Sequence, residues 1–422
     1  MRKQYKIFDG VGLAGISTAA LLACTSAASA GGFAISEQST VFMGMTSAGA
    51  AAGGPISSMY WNPAATASLP GLNTESSYTL VVPQGDVNVK TINGAPADGI
   101  PGGTGSGNIG IGAYTGASFG TYQLSKDLWV GLSVSSPFGL ATKPENNEYI
   151  GSLLGVTSKL LTVNASPTLA YKIAPGVTIG AGIQVEYAWA KLQFAEGVGG
   201  SPIAQFKGDD WAVGGTVGIL LEPFHGTSIG VGYRSGLNHD LDGRLKQPVV
   251  PPGRFDAVGS IDLPDLVTAS FRQVITPTTR LLGTVEWTNW SRFDQITLKS
   301  DGVGGTLAVP TNWSDGWFFS LGAEYDYTPY LTLRTGIAYE LSPEDDPSKR
   351  LTIAPDNNRV WLSAGASYKW SDTLTIDVAY SHIFVEDGGF ERAAVVDPSL
   401  VLAGEINNAS ADLISVGLRT QW

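Results

Sequence analysis

Residues 177–189 read VTIGAGIQVEYAW, and their side chains alternate without a break between two kinds. Val177, Ile179 and every second residue up to Trp189 are apolar or aromatic, whereas the residues between them are small, polar or, at Glu186, charged. This period of two predicts a β-strand with one face for lipid and one for a lumen. A charge on the lipid face of a membrane barrel costs about 2–4 kcal/mol at mid-depth, so Glu186 must point inward.

The same pattern recurs along the chain. Residues 331–340, for example, place apolar side chains opposite Thr332, Arg334, Gly336 and Glu340. Period-2 alternation and turn residues together predict fourteen strands, at 72–83, 108–124, 128–136, 159–173, 177–194, 210–222, 227–236, 264–275, 279–291, 316–327, 330–340, 358–370, 373–384 and 411–422. An even number of strands is typical of single-chain bacterial outer-membrane barrels.

The connections between these strands alternate in length. Short turns such as Ala174-Pro175-Gly176 alternate with long segments, which cover 84–107, 137–158, 195–209, 237–263, 292–315, 341–357 and 385–410. Periplasmic turns and extracellular loops alternate in this way around a membrane barrel. The sequence therefore predicts an all-β fold, a transmembrane antiparallel β-barrel of about fourteen strands.

The first thirty residues differ from the rest. A basic start, an apolar stretch over 11–22 and the small residues 28–30 predict a secretory signal peptide over 1–30, cleaved after Ala30. The apolar and small residues before Cys24 leave a lipoprotein signal as the rival interpretation.

Composition places the exported chain in a bacterial outer membrane. Charged residues are only 15% of the 422, and the only cysteine, Cys24, lies in the leader, so the exported chain can form no disulfide. Without the leader, 22 basic and 36 acidic residues remain, a formal net charge of −14. This balance argues against nucleic acid as a partner. An acidic, cysteine-free, exported barrel points to the Gram-negative outer membrane.

Residues 31–70 follow the leader and lack strand-like alternation. They are rich in Gly, Ala and Ser and contain the run Trp61-Asn62-Pro63-Ala64. A compact segment of small residues ahead of a large barrel fits inside the lumen, so we predict a hatch over 31–70 and the barrel over 71–422. Phe33 and Ile35 are apolar residues beside a newly cut N-terminus, which favours a role in filling a binding pocket.

The inward phase of the predicted strands also collects charged side chains. The candidate lumen network comprises Glu186, Arg234, Arg272, Glu286, Glu324 and Arg334. Because buried charges need partners, this set predicts either a structural network that holds the hatch or direct contacts to a ligand. Aromatic residues near strand ends suit the interfacial girdles. Trp61, Trp290 and Trp361 are the candidates for stacking on a substrate.

An apolar entrance is predicted in and just after the long segment 137–158. Its candidate residues are Tyr149, Ile150, Leu153, Leu154 and Leu160. Each buried CH₂ of a ligand contributes roughly 0.8 kcal/mol, so apolar walls alone give useful affinity. The alternative is that these residues only pack the segment on its neighbours.

The third predicted strand contains a break at Ser136-Pro137-Phe138-Gly139. Pro137 has no N–H to donate to a ladder and Gly139 has no side chain to pack, so regular pairing should be interrupted here. Either a gap opens in the barrel wall, or Pro137 ends the strand at the membrane surface.

The sequence does not predict an enzyme. His225 lies in a short turn, His239 in a long segment and His382 on the lipid phase of its strand. No Ser–His–carboxylate set and no metal-spaced cluster emerges. We therefore predict no catalysis, no metal site and no cofactor.

Several motifs appear in the same order as in a known family. They are Gly32-Phe33-Ala34-Ile35, Asn62-Pro63-Ala64, Val134 to Thr142, Tyr233-Arg234-Ser235, Leu263-Pro264-Asp265, Trp287 to Phe293, Phe318 to Gly322, Arg334 to Ala338 and Trp361 to Gly365. On these motifs the chain resembles the FadL family of outer-membrane transporters for long-chain fatty acids and other hydrophobic compounds.

The resemblance implies a fourteen-stranded barrel closed by an N-terminal hatch. It also implies capture of an apolar ligand by outer loops, transfer to a pocket at the hatch N-terminus, and sideways exit through a kinked third strand. By motif, Asn62, Pro63 and Ala64 are hatch residues, and Ser136, Pro137, Phe138 and Gly139 form the kink. Basic residues that would meet a fatty-acid carboxylate are not matched beyond Lys191, so a neutral hydrocarbon stays open as the substrate.

The predicted function is therefore uptake of hydrophobic molecules, long-chain fatty acids or hydrocarbons, by ligand-gated diffusion. A general diffusion porin is one alternative, and a surface adhesin or phage receptor that uses the long loops is another. The predicted partners are the hydrophobic substrate, outer-membrane lipid, lipopolysaccharide and the barrel assembly machinery, which would recognise the C-terminal Trp422. We expect a monomer.

Overall fold

The computed structural model describes residues 31–249, 252–301, 305–395 and 397–422. Within them, fourteen long antiparallel strands surround a lumen. These strands are β1 (Leu72–Ile92), β2 (Ala113–Ser125), β3 (Leu128–Ser135), β4 (Thr157–Ala174), β5 (Val177–Ala195), β6 (Ile203–Phe224), β7 (Thr227–Arg234), β8 (Leu266–Thr276), β9 (Thr279–Thr288), β10 (Gly316–Thr328), β11 (Leu331–Leu341), β12 (Arg359–Lys369), β13 (Leu374–Val385) and β14 (Val401–Gln421). The predicted signal peptide lies outside the described residues.

Pairing between β1 and β14 closes the barrel. Their register runs from Asn73↔Gln421 at one end to Ile92↔Leu402 at the other. Every other barrel strand pairs with its neighbours along the chain. The predicted fourteen-stranded antiparallel barrel is thus confirmed. None of the helices in the described part of the chain is long and apolar enough to span a membrane.

The two faces of the strands carry the side chains that the alternation predicted. On β5, Ile183 is 55% exposed on the outer surface, whereas Gln184 is buried in the interior. On β11, Leu333 is exposed and Arg334 is buried. The apolar phase therefore faces outward and the polar phase faces the lumen.

Several strand ends differ from the prediction. β1 continues to Ile92, β6 begins at Ile203 and β14 begins at Val401, each beyond the predicted limit. Beyond the membrane, both faces of a strand can be polar, so the sequence loses the apolar alternation that marked the predicted end. In contrast, β2 begins only at Ala113, and the prediction of a start at 108 was wrong.

The long segments are not simple loops. One hairpin joins Leu237–Gln247 to Gly253–Leu263, and a second joins Gln295–Ser300 to Gly305–Pro310. Both extend the sheet beyond the barrel, through pairs such as Asp242↔Asp209 with β6 and Val258↔Lys299 between the hairpins. The remaining short elements are the strands Ala95–Pro96, Gly105–Asn108, Gly139–Thr142 and Gly388–Ala393 and the 3-10 turns Ile150–Leu153 and Trp290–Arg292.

The N-terminal segment contains the helix α1 (Thr40–Met43) and 3-10 turns at Ile56–Tyr60 and Pro63–Ala67. Ser39 caps α1, and Asn62 caps the last turn by accepting a bond from the Ala64 N–H at 3.0 Å. The segment is hydrogen-bonded to inward-facing side chains on opposite parts of the wall. These bonds join Thr40 to Ser415 of β14, Gly49 to Thr284 of β9, Ala51 to Ser270 of β8 and Thr66 to Thr168 of β4. The segment therefore lies in the lumen.

Glycines on the inner wall allow the backbone of this segment to approach closely. A Cβ atom on Gly230 would lie 1.8 Å from the carbonyl oxygen of Ala51, and one on Gly232 would lie 1.9 Å from that of Trp61. Both glycines are on β7, two residues apart, and so share its inner face. Any larger residue at either position would push the segment away from the wall.

Candidate functional site

Two apolar cavities lie at the end of the barrel that carries the long segments. The loop cavity has a volume of about 60 Å³, and its border includes Leu154, Leu307, Val309 and Arg392. The deep cavity has the same volume, and its border includes Phe33, Leu160, Phe206 and Leu241. Among the described residues, five border both cavities: Leu192, Ile296, Leu298, Leu351 and Ile353. The two cavities are therefore neighbours, and together they lead from the long segments toward Phe33.

The ring of Phe33 sits in an aromatic pocket at the end of the deep cavity. Its centroid lies 4.7 Å from that of Trp290 and 5.2 Å from that of Phe293, in edge-to-face arrangements. Trp313 and Phe138 complete the pocket at 5.8 and 6.2 Å. Edge-to-face pairs each add about 0.5–1.5 kcal/mol beyond the burial of their area, so the pocket holds Phe33 firmly.

The barrel wall changes its pairing at Ser136-Pro137-Phe138-Gly139. β3 pairs with β4 up to Ser135↔Asn164, and the strand Gly139–Thr142 resumes at Gly139↔Leu161. Residues 136–138 thus lie opposite only two residues of β4, 162 and 163, and this arrangement is a β-bulge. The Thr162 hydroxyl provides partners for the backbone of Phe138 in the bulge. It accepts from the Phe138 N–H at 3.0 Å and donates to the Phe138 carbonyl at 2.9 Å. The wall toward β4 is therefore continuous.

The wall toward β2 is not continuous. The ladder between β2 and β3 begins at Ser118↔Val134, and an isolated bridge joins Gly110 to Thr142 further along. Among the described residues, 113–117 of β2 have no ladder partner on the side of β3. The predicted kink residues border this interruption.

Residues 33–35, which we call the N-terminal strip, occupy the edge that β2 leaves free. The Ile35 N–H donates to the Pro137 carbonyl at 2.8 Å, and the Gly139 N–H donates to the Phe33 carbonyl at 3.0 Å. Ala34 forms an antiparallel bridge with Phe138. The strip therefore takes the ladder position that β2 holds along the rest of β3.

Carboxylates surround the start of the described chain. The Gly32 N–H donates to Asp356 Oδ2 at 2.6 Å, and Asp356 also forms an ion pair with Arg359. Glu340 lies beside Gly31, since a Cβ atom on that glycine would be 2.9 Å from Glu340 Oε1. The other oxygen of Glu340 accepts from Trp361 Nε1 at 3.0 Å. These contacts tie residues 31–32, just before the strip, to β11 and to the segment between β11 and β12.

Asn62 connects two parts of the N-terminal segment to the wall. Its side-chain N–H₂ donates to the carbonyls of Ala51 and of Ile219 on β6, both at 2.9 Å, while its oxygen accepts from Ala64. Pro63 follows as the first residue of the 3-10 turn, where a missing N–H costs nothing. All three of Asn62, Pro63 and Ala64 are buried.

The structure divides the predicted entrance residues into two groups. Tyr149, Ile150 and Leu153 pack among the long segments, in a buried cluster that also contains Val87, Val89, Phe390, Leu402 and Ile406. This is the alternative that the sequence left open for them. Leu154 belongs to the same cluster but also borders the loop cavity, and Leu160 borders the deep cavity.

The three candidate tryptophans also separate. Trp290 contacts Phe33 as described above. Trp61 packs within the N-terminal segment, with ring centroids 5.4 Å from Phe42 and 5.0 Å from Tyr60. Trp361 packs against Phe318 on the inner wall. Only Trp290 lies close to the apolar cavities.

The predicted lumen charges do not form one network. Glu186 accepts from Asn164 at 2.9 Å, and the Arg234 guanidinium donates to Gln184 and lies 4.5 Å from the centre of the Tyr60 ring. A second group, nearer the short turns, joins Glu324 to Arg334 and Arg280 at 2.9 Å and to Arg272 at 3.8 Å. Glu286 accepts only from Thr268 at 2.6 Å in the described part. Strand phase predicted the face of each charge but not its height along the barrel, which decides its partners.

Several residues of the site were not predicted from the sequence. Arg392 borders the loop cavity and donates to the carbonyls of Ser348 and Pro310. His239 is buried, with its ring nitrogens 3.4 Å from Glu186 and 3.1 Å from Asp210. The sequence did contain a sign that His239 lies on the apolar face of a strand. Leu237, His239, Leu241 and Leu245 share one phase within a segment that was predicted to be a loop. No comparable pattern marked Arg392.

Fold and site together define a membrane-spanning β-barrel with apolar cavities, an internal N-terminal segment and an interrupted wall. The chain belongs to the outer-membrane protein transport family (OMPP1/FadL/TodX), whose family model matches residues 21–422. It is thus an outer-membrane protein, as the sequence predicted.

Known relatives agree with this assignment. The chain is 30% identical over 293 residues to a long-chain fatty acid transport protein of Escherichia coli O6:H1, and the match spans 60% of this chain and 65% of that protein. The crystal structure of a Pseudomonas aeruginosa FadL homologue shares the fold, with a TM-score of 0.82, 22% identity and coverage of 92% of this chain and 99% of that one. The Pseudomonas putida toluene transporter TodX matches with a TM-score of 0.68, 16% identity and coverage of 92% and 99%.

Proposed function

We propose that this protein takes up hydrophobic molecules from outside the cell through the loop cavity and the deep cavity. Residues 31–70 act as a hatch in the barrel of residues 71–422, and the ligand leaves sideways between β2 and β3. The observation that carries this proposal is the position of the N-terminal strip. Its Phe33 side chain lines the deep cavity, and its backbone pairs with Pro137 and Gly139 beside the interruption in the wall.

The size of the cavities supports gating by the ligand. An engineered apolar cavity of about 150 Å³ holds benzene, whereas each cavity here has about 60 Å³. A hydrophobic ligand must therefore displace part of the lining. Phe33 is the lining residue that we propose is displaced, because the strip is joined to the wall by two backbone bonds rather than by a full strand ladder.

Displacement of Phe33 is coupled to the wall because residues 33–35 supply both the ring that lines the deep cavity and the backbone groups that bind Pro137 and Gly139. When the ring leaves its pocket, the Phe33 carbonyl and the Ile35 N–H move away from Gly139 and Pro137. The edge between β2 and the strand Gly139–Thr142 is then free to widen. A ligand in the deep cavity thus opens its own route to the outer leaflet.

The chemistry of the cavities favours an apolar chain or ring as the substrate. The residues that border both cavities are all aliphatic. Relatives are named for transport of long-chain fatty acids and of toluene, and both substrate classes fit such walls. Arg392 at the loop cavity adds a place for a carboxylate, since its guanidinium has five N–H donors and donates to two carbonyls.

Cleavage of the predicted leader would create a positive charge at the start of the hatch. Cleavage after Ala30 would leave the ammonium group of Gly31 beside Glu340 and Asp356, where it would offset part of their charge. Recognition of Trp422 by the barrel assembly machinery and a monomeric state remain predictions. Trp422 is exposed and closes the seam, with its N–H donating to Leu72 of β1 at 3.0 Å.

The exit is tested by the double variant Pro137→Val and Gly139→Thr, which allows regular pairing at the interruption. We expect hydrophobic uptake by whole cells to fall at least tenfold, while ligand binding by the purified protein stays the same. The matched control is Gly120→Thr with Pro277→Val. A Cβ atom on Gly120 meets no neighbour within 4 Å, and Pro277 lies in a short turn. Normal uptake by the Pro137 and Gly139 variant would place the exit elsewhere.

Ion conductance separates this proposal from a diffusion porin. In a planar bilayer, the wild-type protein should show no steady conductance, because the N-terminal segment fills the lumen. A stable open conductance of the intact protein would favour the porin.

A further inference from the structure

Four basic residues form a row across the outside of the barrel. Lys159 of β4 is the cross-strand partner of Lys191 on β5, and Lys191 is the partner of Lys207 on β6. Lys207 is in turn the partner of Arg244 on the strand Leu237–Gln247. Directly opposite residues have Cβ atoms about 4.5–5.5 Å apart, so the row brings four positive charges together.

The alternation of each strand places this row on the outer face. Leu160, Leu192, Phe206 and Leu245, which directly follow or precede these basic residues, point into the apolar interior. Lys159 itself is near the deep cavity. Its side chain nevertheless shares the phase of Leu161 and Val163, opposite to the buried Ser158 and Leu160. Lys207 and Arg244 are exposed.

Further basic residues enlarge the row into a patch. Lys246 follows Arg244 by two residues and pairs with Arg254 in the hairpin, and Lys143 follows the Thr142↔Ser158 pair next to Lys159. With the row itself, seven basic residues lie here in a chain that carries a net charge of −12. We call them the cationic patch: Lys143, Lys159, Lys191, Lys207, Arg244, Lys246 and Arg254.

Few acidic groups neutralise the patch. Asp256 lies 3.8 Å from Arg244, but both side chains are largely exposed, so this pair contributes little. Asp209 and Asp242 lie two positions below the row and so face outward as well. Within the described residues, neither of them is within ion-pair distance of a lysine of the patch, and the lysines have no carboxylate partner of their own. Like charges directly opposite each other destabilise a sheet, so the row favours an anionic ligand.

Aromatic residues place the patch at the level of lipid headgroups. Trp189 is two residues from Lys191 on the same face of β5, and Tyr187 lies next below it. Tyr187 packs against the exposed Trp211 of β6, with ring centroids 5.2 Å apart. Such rings mark the interface between hydrocarbon and headgroups. At about 3.4 Å per residue, the lysines lie roughly 7 Å further out.

We propose that the cationic patch binds the phosphate groups of a phosphorylated glycolipid, the lipopolysaccharide of the outer leaflet. The patch is on the lipid-facing surface, on the side of the membrane that carries this glycolipid, and at the height of its phosphates. An anionic protein or nucleic acid would have to reach the same lysines through the surrounding lipid. This proposal does not depend on transport, because lipid binding is measured directly and Lys159 is the one residue of the patch that borders the deep cavity among the described residues.

The test compares two double variants of the full-length protein, purified in detergent. Lys191→Gln with Lys207→Gln removes two charges from the centre of the row. Lys126→Gln with Lys369→Gln removes two exposed charges at the opposite end of the barrel, one in a short turn and one at the end of β12. The probe is lipid A with two phosphates, and bound lipid is counted by native mass spectrometry over a concentration series. Heat-dependent mobility on gels verifies that each barrel is folded.

Each lysine near an anionic lipid surface changes affinity by roughly a factor of five. We therefore expect the Lys191 and Lys207 variant to bind lipid A about 30-fold more weakly than the wild type, and the control variant to bind like the wild type. Dephosphorylated lipid A should bind the wild type as weakly as lipid A binds the Lys191 and Lys207 variant.

Three results would overturn the proposal. The first is unchanged binding by the folded Lys191 and Lys207 variant, and the second is an equal loss in the control. The third is displacement of lipid A by an equal concentration of phosphatidylglycerol, which would show a surface for any anionic lipid rather than a glycolipid site.

Discussion

Replacing Phe33 with alanine removes a benzene ring from the end of the deep cavity. The ring contacts Trp290, Phe293, Trp313 and Phe138, and the residue is almost fully buried. Phe→Ala changes at such sites cost about 3–5 kcal/mol. The vacated space has the size of the ring and adjoins a cavity of about 60 Å³. The variant should therefore bind small aromatic hydrocarbons directly, without displacing any side chain.

The expected affinity follows from buried area. Toluene has seven carbons, and at roughly 0.8 kcal/mol for each CH₂-sized group its burial contributes about 5–6 kcal/mol, or a Kd near 0.1 mM. The wild-type protein must first expel its own ring, so its Kd should be more than tenfold higher. Isothermal titration of toluene into the purified proteins measures the difference.

The matched control is Phe33→Met, which refills most of the space with a flexible apolar chain. We expect its affinity for toluene to lie close to that of the wild type. If the alanine variant were folded yet bound toluene no better than the wild type, Phe33 would not be the element that limits the deep cavity.

Three further predictions concern the hatch, the substrate and the topology. Asn62→Ala removes the three hydrogen bonds of this side chain, which should destabilise the hatch by roughly 3 kcal/mol. Hydrogen exchange over 31–67 and ion conductance should both rise, whereas Asn73→Ala, which loses one bond to Pro70, should change neither. Arg392→Gln should weaken binding of a long-chain fatty acid about tenfold, because it removes one charge-assisted hydrogen bond, but should leave binding of an alkane of equal length unchanged. Equal effects on both ligands would rule out a carboxylate contact at Arg392. A membrane-impermeant thiol reagent should label Asp346→Cys on whole cells but not Ile183→Cys or Leu333→Cys, and labelling of all three would contradict the lipid-facing phase.

Barrel topology was predictable because a single physical rule governs each membrane strand. Lipid on one side and a polar lumen on the other impose a period of two, which β5 and β11 show residue by residue. That rule ends where the membrane ends. The long segments therefore concealed the hairpin of Leu237–Gln247 and Gly253–Leu263, although Leu237, Leu241 and Leu245 kept one phase.

The site was predictable only where backbone chemistry marks it. Pro137 and Gly139 predicted the break because Pro has no N–H to donate to a ladder and Gly has no side chain to pack, whatever surrounds them. The partners of the break were not predictable, since residues 33–35 lie about a hundred positions away in the sequence and meet it only in three dimensions. The same holds for Ile296 and Leu351, which border both cavities from two different long segments.

The anchoring of the N-terminal strip also implies a lower limit on the size of the ligand. Withdrawal of Phe33 from its pocket costs about 3–5 kcal/mol, by analogy with truncation of a buried ring. The strip would also give up its bonds to Pro137 and Gly139, whose backbone groups would then face hydrocarbon unless they paired again. Each buried CH₂ returns roughly 0.8 kcal/mol, so a ligand must bury about four to six methylenes to offset the withdrawal of the ring alone. We expect shorter apolar molecules and polar solutes to leave the strip in place. We therefore infer that buried apolar area opens the route, whereas a carboxylate at Arg392 serves only to hold a charged ligand at the loop cavity before that step.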